Sequence, residues 1–124
     1  MSIEGANELF TLIDSQVMSG NITGDAQAIL NGKGYTFEFH WRAGSTPIGT
    51  VSIEGSNSYN LPGITAHWET IPGCSKALPG SGNGADEDSI ILDILRIGAK
   101  WVRPIYTRTS GSGTLSCFMQ QKDK

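Results

Sequence analysis

Charge is scarce in this chain. Only 17% of its 124 residues are charged, and nine basic against twelve acidic side chains leave a formal net charge of −3 at pH 7. Such a surface is weakly repelled by nucleic acid and by anionic membranes, which argues against a genome-packaging role. Cysteine and histidine are equally sparse, two of each. Cys74 and Cys117 share no C-x-x-C, and His40 and His67 no H-x-x-x-H spacing, so free thiols are expected and no metal is assigned. No apolar run approaches the roughly 18 residues that span a bilayer. The first residues also lack the basic region, apolar core and cleavage site of a leader. Synthesis in the cytoplasm with no membrane partner is the expectation.

Catalytic motifs are missing as well. No G-x-S-x-G elbow occurs, and the glycines at 80, 82 and 84 are followed by Asp86-Glu87-Asp88 rather than by the Lys-Ser/Thr pair of a phosphate cradle. The same acids do not follow the spacing of a calcium-binding EF loop. No catalytic, cofactor or metal residue is therefore assigned, and an enzyme is not expected.

What the chain does have is glycine, sixteen residues without a G-x-y period, and 38% apolar residues. A chain of this length forms one domain and buries roughly two thirds of its unfolded surface. Residues 35–42 alternate, with Tyr35, Phe37, Phe39 and Trp41 on one face and Thr36, Glu38, His40 and Arg42 on the other. This period of two predicts a strand covered on one side. Residues 49–55 repeat the pattern with Val51 and Ile53 inward, and the intervening loop 43–47 predicts a hairpin between the two runs. A second hairpin is predicted where residues 100–108 and 115–120 flank a Ser/Gly segment at 109–114.

Short strands are expected at 16–23, 26–30 and 67–71, and residues 89–96 read as a strand from their β-branched alternation. Residues 72–88 read as a long loop. These elements predict an all-β fold, an antiparallel two-sheet β-sandwich of jelly-roll or immunoglobulin-like type. Residues 1–34 would form an N-terminal arm and first short strands, and 35–124 the main body. Trp41, Trp68, Trp101, Phe37, Phe39 and Tyr106 are its expected core. Leu9, Phe10, Leu12 and Ile13 form an apolar cluster that fits a docking arm, a first strand or one helical turn.

Three segments taken together resemble small β-sandwich virion proteins of tailed bacteriophages. Residues 44–57, Gly-Ser-Thr-Pro-Ile-Gly-Thr-Val-Ser-Ile-Glu-Gly-Ser-Asn, are similar to that group's G-T-x-x-[IVL]-[EQ]-[AG]-S-N strand. A Trp-containing strand follows at Trp68-Glu69-Thr70-Ile71, and then Trp101-Val102-Arg103 leads through Tyr106-Thr107-Arg108-Thr109-Ser110-Gly111 to Leu115. The resemblance implies a capsid decoration or cement protein on the virion surface, with the major capsid protein as partner and no catalytic residues. A homo-oligomer, dimer or trimer, would match local capsid symmetry.

Leu9, Phe10, Leu12, Ile13, Arg103 and Arg108 are the candidate interface residues. Pro104 departs from the pattern and predicts an edge strand or a bulge, because proline cannot donate a ladder hydrogen bond. Two other roles fit the same features: a tail or baseplate component, and a carbohydrate-binding module using exposed Trp or Tyr. Tryptophan exposure separates the last from the rest.

Overall fold

A computed structural model describes residues 9–29, 34–78, 87–94 and 97–122, the side chains of 43–46, 87–88 and 122 excepted. Among the described residues seven strands run in the order β1 (Leu9–Val17), β2 (Ile22–Thr23), β3 (Gln27–Ala28), β4 (Gly34–Ser56), β5 (Glu69–Ala77), β6 (Glu87–Ile94) and β7 (Trp101–Lys122). All their pairings are antiparallel. The fold is all-β, as the alternation and turn residues predicted.

Two long strands organise everything else. β4 and β7 pair along their whole length, from Gly34↔Lys122 to Ser56↔Trp101, with register shifts confined to residues 43–49 of β4. On one side of those shifts the order is β1, β7, β4, β6; on the other, β2 and β3 pair with β7, then come β4 and β5. Each long strand therefore crosses from one layer of a sandwich to the other, and irregular pairing makes the corner.

Both predicted hairpins are corrected by this arrangement. Residues 35–42 and 49–55 do not pair with one another but are successive halves of β4, and 100–108 and 115–120 are likewise halves of β7. The Ser/Gly segment bends the chain without reversing it. Gly111 takes φ 84° between Ser110 and Ser112, which pair with Ile48 and Ser45. Two residues of β4 thus oppose one of β7, a bulge in place of a turn.

The inward faces meet in one core. Tyr35, Phe37, Phe39 and Trp41 from the first half of β4 pack with Val51 and Ile53 from its second half, with Val102, Tyr106, Leu115, Cys117 and Met119 of β7, and with Ile90, Leu92 and Ile94 of β6. Each large apolar side chain so buried contributes roughly 1.5–3 kcal/mol. Trp68 and Trp101, expected in this core, are outside it and only half-buried.

Leu12 and Ile13 belong to the core through β1, at 3% and 2% exposure, so these two are covered by their own sandwich and are not presented to another surface. Leu9 is exposed and Phe10 packs partly against the core. Parts of the expected 72–88 loop are strand: β5 runs to Ala77 and β6 starts at Glu87. Residues 79–86, with Asp86, lie outside the described residues.

Pro104 is not in an edge strand, and the bulge expected there lies on its β2/β3 side, where the pairing slips by one residue between Thr23↔Ile105 and Gln27↔Val102. The register of Pro104 with Ile53 is unbroken, and β7 is flanked on both sides there. The Pro104 carbonyl accepts from Gly24 N at 2.8 Å, which shows that the residue's polar side faces away from β4. The missing N–H thus falls in the gap between β2, which pairs at 105–106, and β3, which pairs at 101–102. A proline costs the ladder nothing there.

Cys74 and Cys117 are free and buried. Burial pushes both thiols above their ordinary value near 9.0, and Glu38 adds to the effect on Cys117. Above pH 9 the unfolded chain releases protons that the folded chain retains, so stability falls as pH rises. The expected loss approaches roughly 1.4 kcal/mol per pH unit for a fully protected thiol. Urea midpoints measured from pH 7 to 11 check this, and Cys117→Ala should flatten the slope.

Candidate functional site

The exposed face of the second layer is set by register. Trp101 and Arg103 lie directly opposite Ser56 and Glu54, and Thr70 is opposite Glu54 on the other side. Directly opposed residues share a face, as do residues two apart on an extended chain. Ser52, Glu54, Ser56, Trp101, Arg103, Ile105, Thr70 and the preceding Trp68 therefore project to the same side, a polar surface with aromatic rings at one end.

The loop from 57 to 68 supplies a third ring. It is tied down by hydrogen bonds from Lys100 N to Asn57 Oδ1 at 2.8 Å, Ser58 N to Ser56 Oγ at 3.1 Å and His67 N to Ser58 Oγ at 2.8 Å. Asn60 and Gly63 take φ 68° and 73°, left-handed conformations suited to a tight excursion. Tyr59 is thereby held between the two tryptophans, its centroid 5.3 Å from Trp68 and 4.9 Å from Trp101. The interplanar angles of 56° and 69° make a folded aromatic surface, not a flat one. Ser56 is covered beneath it at 4% exposure, while Tyr59 remains 37% exposed.

Arg103 completes the group. Its Nε and a terminal nitrogen donate to the same Glu54 oxygen at 2.9 and 2.8 Å, and its guanidinium carbon stands 4.1 Å from the Trp68 ring centroid. A cation stacked on an aromatic face and paired with a carboxylate is stiff, so this end of the face is pre-shaped. A cleft of about 440 Å³ adjoins the same loop, lined by Gly55, Asn57, Ser58, His67, Glu69 and Ala99. In it His67 Nε2 and Glu69 Oε2 are 2.7 Å apart and largely exposed. Among the described residues no three His, Cys, Asp or Glu side chains gather as a metal site would need.

The predicted interface residues are not brought together. Arg103 is in the aromatic group on the outer face. Arg108 is on the opposite face of β7, as a separation of five in unbroken register requires, and its Nε donates to the Gly111 carbonyl at 3.0 Å. Leu9, Phe10, Leu12 and Ile13 are in β1, which pairs with the other half of β7. Glu54 and Tyr59 were missed by the sequence reading. Tyr59 stands in a polar loop without periodicity, and Glu54 carries no signal until β4 and β7 are paired.

No family model matches this chain. No curated protein matches it either. Among solved structures it is similar to a domain described in "CBM4 structure and function", at 17% identity and TM-score 0.46, over 82% of this chain and 61% of that one. It is also similar to the N-terminal cellulose-binding domain of β-1,4-glucanase C from Cellulomonas fimi, at 10% identity and TM-score 0.49, over 97% of this chain and 81% of that one. A third likeness is to the K1 cleaved adhesin domain of Lys-gingipain from Porphyromonas gingivalis W83, at 18% identity and TM-score 0.38. That match covers 82% of this chain and 59% of the adhesin domain. The chain thus spans about three fifths of the first and third of these. With TM-scores below 0.5, none of them carries a site across to this chain.

Proposed function

We propose that this protein is a carbohydrate-binding β-sandwich module that holds a sugar against Tyr59, Trp68 and Trp101, and that it acts by binding, without catalysis. The observation that carries this reading is that two of the three tryptophans stay out of the core and are gathered, with a tyrosine, on an otherwise polar sheet face. Aromatic side chains bring 150–250 Å² each to whatever they cover, and leaving them half in water forgoes part of that gain. Pyranose rings present apolar C–H faces ringed by hydroxyls. A surface of tilted aromatics bordered by Ser52, Glu54, Thr70 and Arg103 answers both parts of that chemistry.

A virion decoration role, the function implied by the sequence resemblance, gains no support from the geometry, since two of its four apolar docking residues are in the chain's own core. Exposed aromatics favour the sugar-binding alternative instead.

Titration with soluble oligosaccharides, followed by tryptophan fluorescence and calorimetry, tests the proposal. Tyr59→Ala and Trp101→Ala are each expected to weaken binding by at least about tenfold, in line with roughly 1–3 kcal/mol lost per stacked ring. The far-UV spectrum should stay unchanged. Unaltered affinity in both variants, or no binding to any glycan across a broad array, would rule the function out.

A further inference from the structure

We propose that this site takes uncharged sugars, with Arg103 and Glu54 bridged by a vicinal pair of hydroxyls, and that it discriminates against uronic acids and sulfated glycans. The inference rests on the carbohydrate-binding reading and specifies its ligand class.

Nε and a terminal nitrogen of Arg103 converge on one Glu54 oxygen, Oε1, at 2.9 and 2.8 Å. A guanidinium carries five N–H donors and a carboxylate about four lone-pair sites, so donors remain on Arg103 and acceptor capacity remains on Glu54. Among the described residues the two side chains hydrogen-bond only each other. Their side chains are 26% and 22% exposed, reachable yet partly shielded from water. A partly exposed donor group next to a partly exposed acceptor matches two adjacent hydroxyls, one accepting from the guanidinium and the other donating to the carboxylate.

Charge then decides the class. The pair is neutral as a unit, and Glu69, opposite Gly55 on the other face of the sheet and paired with His67, leaves that balance unchanged. An anionic sugar approaching Arg103 would have to displace Glu54 or lie beside it, and like charges at that range repel. Neither restriction applies to a neutral pyranoside. The stack of Arg103 on Trp68 at 4.1 Å holds the donors in one plane beside the aromatic surface. Sugar-ring stacking and hydroxyl recognition therefore occur at one place.

Calorimetric titration of the full chain with paired probes tests this: cellohexaose, xylohexaose and mannohexaose as neutral hexamers, against hexagalacturonate and a heparin-derived hexasaccharide. At least one neutral hexamer is expected to bind, with affinity nearly independent of salt from 50 to 500 mM, and both anionic hexamers at least tenfold more weakly. Glu54→Gln should lose about tenfold for the neutral ligand and gain for hexagalacturonate, because Arg103 is then unneutralised. Arg103→Lys keeps the charge but not the planar fork. It should weaken the neutral ligand without creating anionic binding, and it serves as the second variant if Glu54→Gln does not fold. Equal or tighter binding of the anionic hexamers by the unaltered protein overturns this inference and leaves the carbohydrate reading standing. So does neutral binding that neither substitution changes. Absence of binding to every hexamer overturns both.

Discussion

Replacing Phe37 with alanine is expected to lower the unfolding free energy by about 3–5 kcal/mol, the usual cost of removing a buried aromatic ring and leaving a cavity. Phe37 is fully buried near the start of β4, where its register partners are Leu92 of β6 and Met119 of β7. Three strands of one layer therefore meet at its side chain, and no neighbour is free to relax into the space because each is pinned by its own ladder. For a domain whose total stability is of the order of 5–15 kcal/mol, this loss leaves a substantially unfolded population at modest urea concentration. The control is Ile91→Ala, one residue along β6 on the outer face and 58% exposed, which should cost within about 0.5 kcal/mol. Urea denaturation of both variants measures the difference. Similar midpoints for the two would show that the core is not where the fold places it.

Gly49→Ala is expected to be nearly as damaging, at about 3 kcal/mol, for the opposite reason: it adds an atom where there is no space. A Cβ at position 49 would overlap the Thr107 carbonyl oxygen on the adjoining strand and come within 3.0 Å of the Tyr106 ring. The obstacle is backbone, which cannot rotate away as a side chain can. Gly49 also begins the regular ladder of the second layer, pairing with Arg108, and its carbonyl accepts from Leu78 N at 2.9 Å. Separating β4 from β7 here would disturb both neighbours of the corner. Gly20→Ala provides the contrast, since nothing lies within 4 Å of an added Cβ there. Thermal unfolding of the two variants should differ by many degrees, and a Gly49→Ala melting temperature matching the unaltered chain would exclude the close approach.

Part of the candidate site is legible in the sequence. Trp101 alternates with Val102, so it shares a face with Arg103, and a face carrying arginine in a strand is turned to solvent. Trp68 is bracketed by His67, Glu69 and Thr70, which points the same way. A core position for both, expected from their size and apolar rings, is overruled by strand parity. Tyr59 had no such signal, as its position depends on a loop anchored by Asn57 and Ser58 to residues far away in the chain.

Strand parity alone determined which residues face inward in 35–42 and 49–55, and with it the all-β class, because side chains on an extended chain alternate whatever they pair with. Partner choice was a different matter. Gly111 and the serines around it are compatible with a reversal or with a bulge, and the free energy that selects between them comes from β4 lying alongside β7 through both layers. Those contacts join residues 45 to 88 positions apart, from Ser56↔Trp101 to Gly34↔Lys122, so no local window contains them. The same pairing sets Arg103 against Glu54 and Trp101 against Ser56, and brings Tyr59 between two tryptophans. Only the tertiary structure could decide that arrangement, because a binding surface made from three distant segments exists only once long-range register has been chosen.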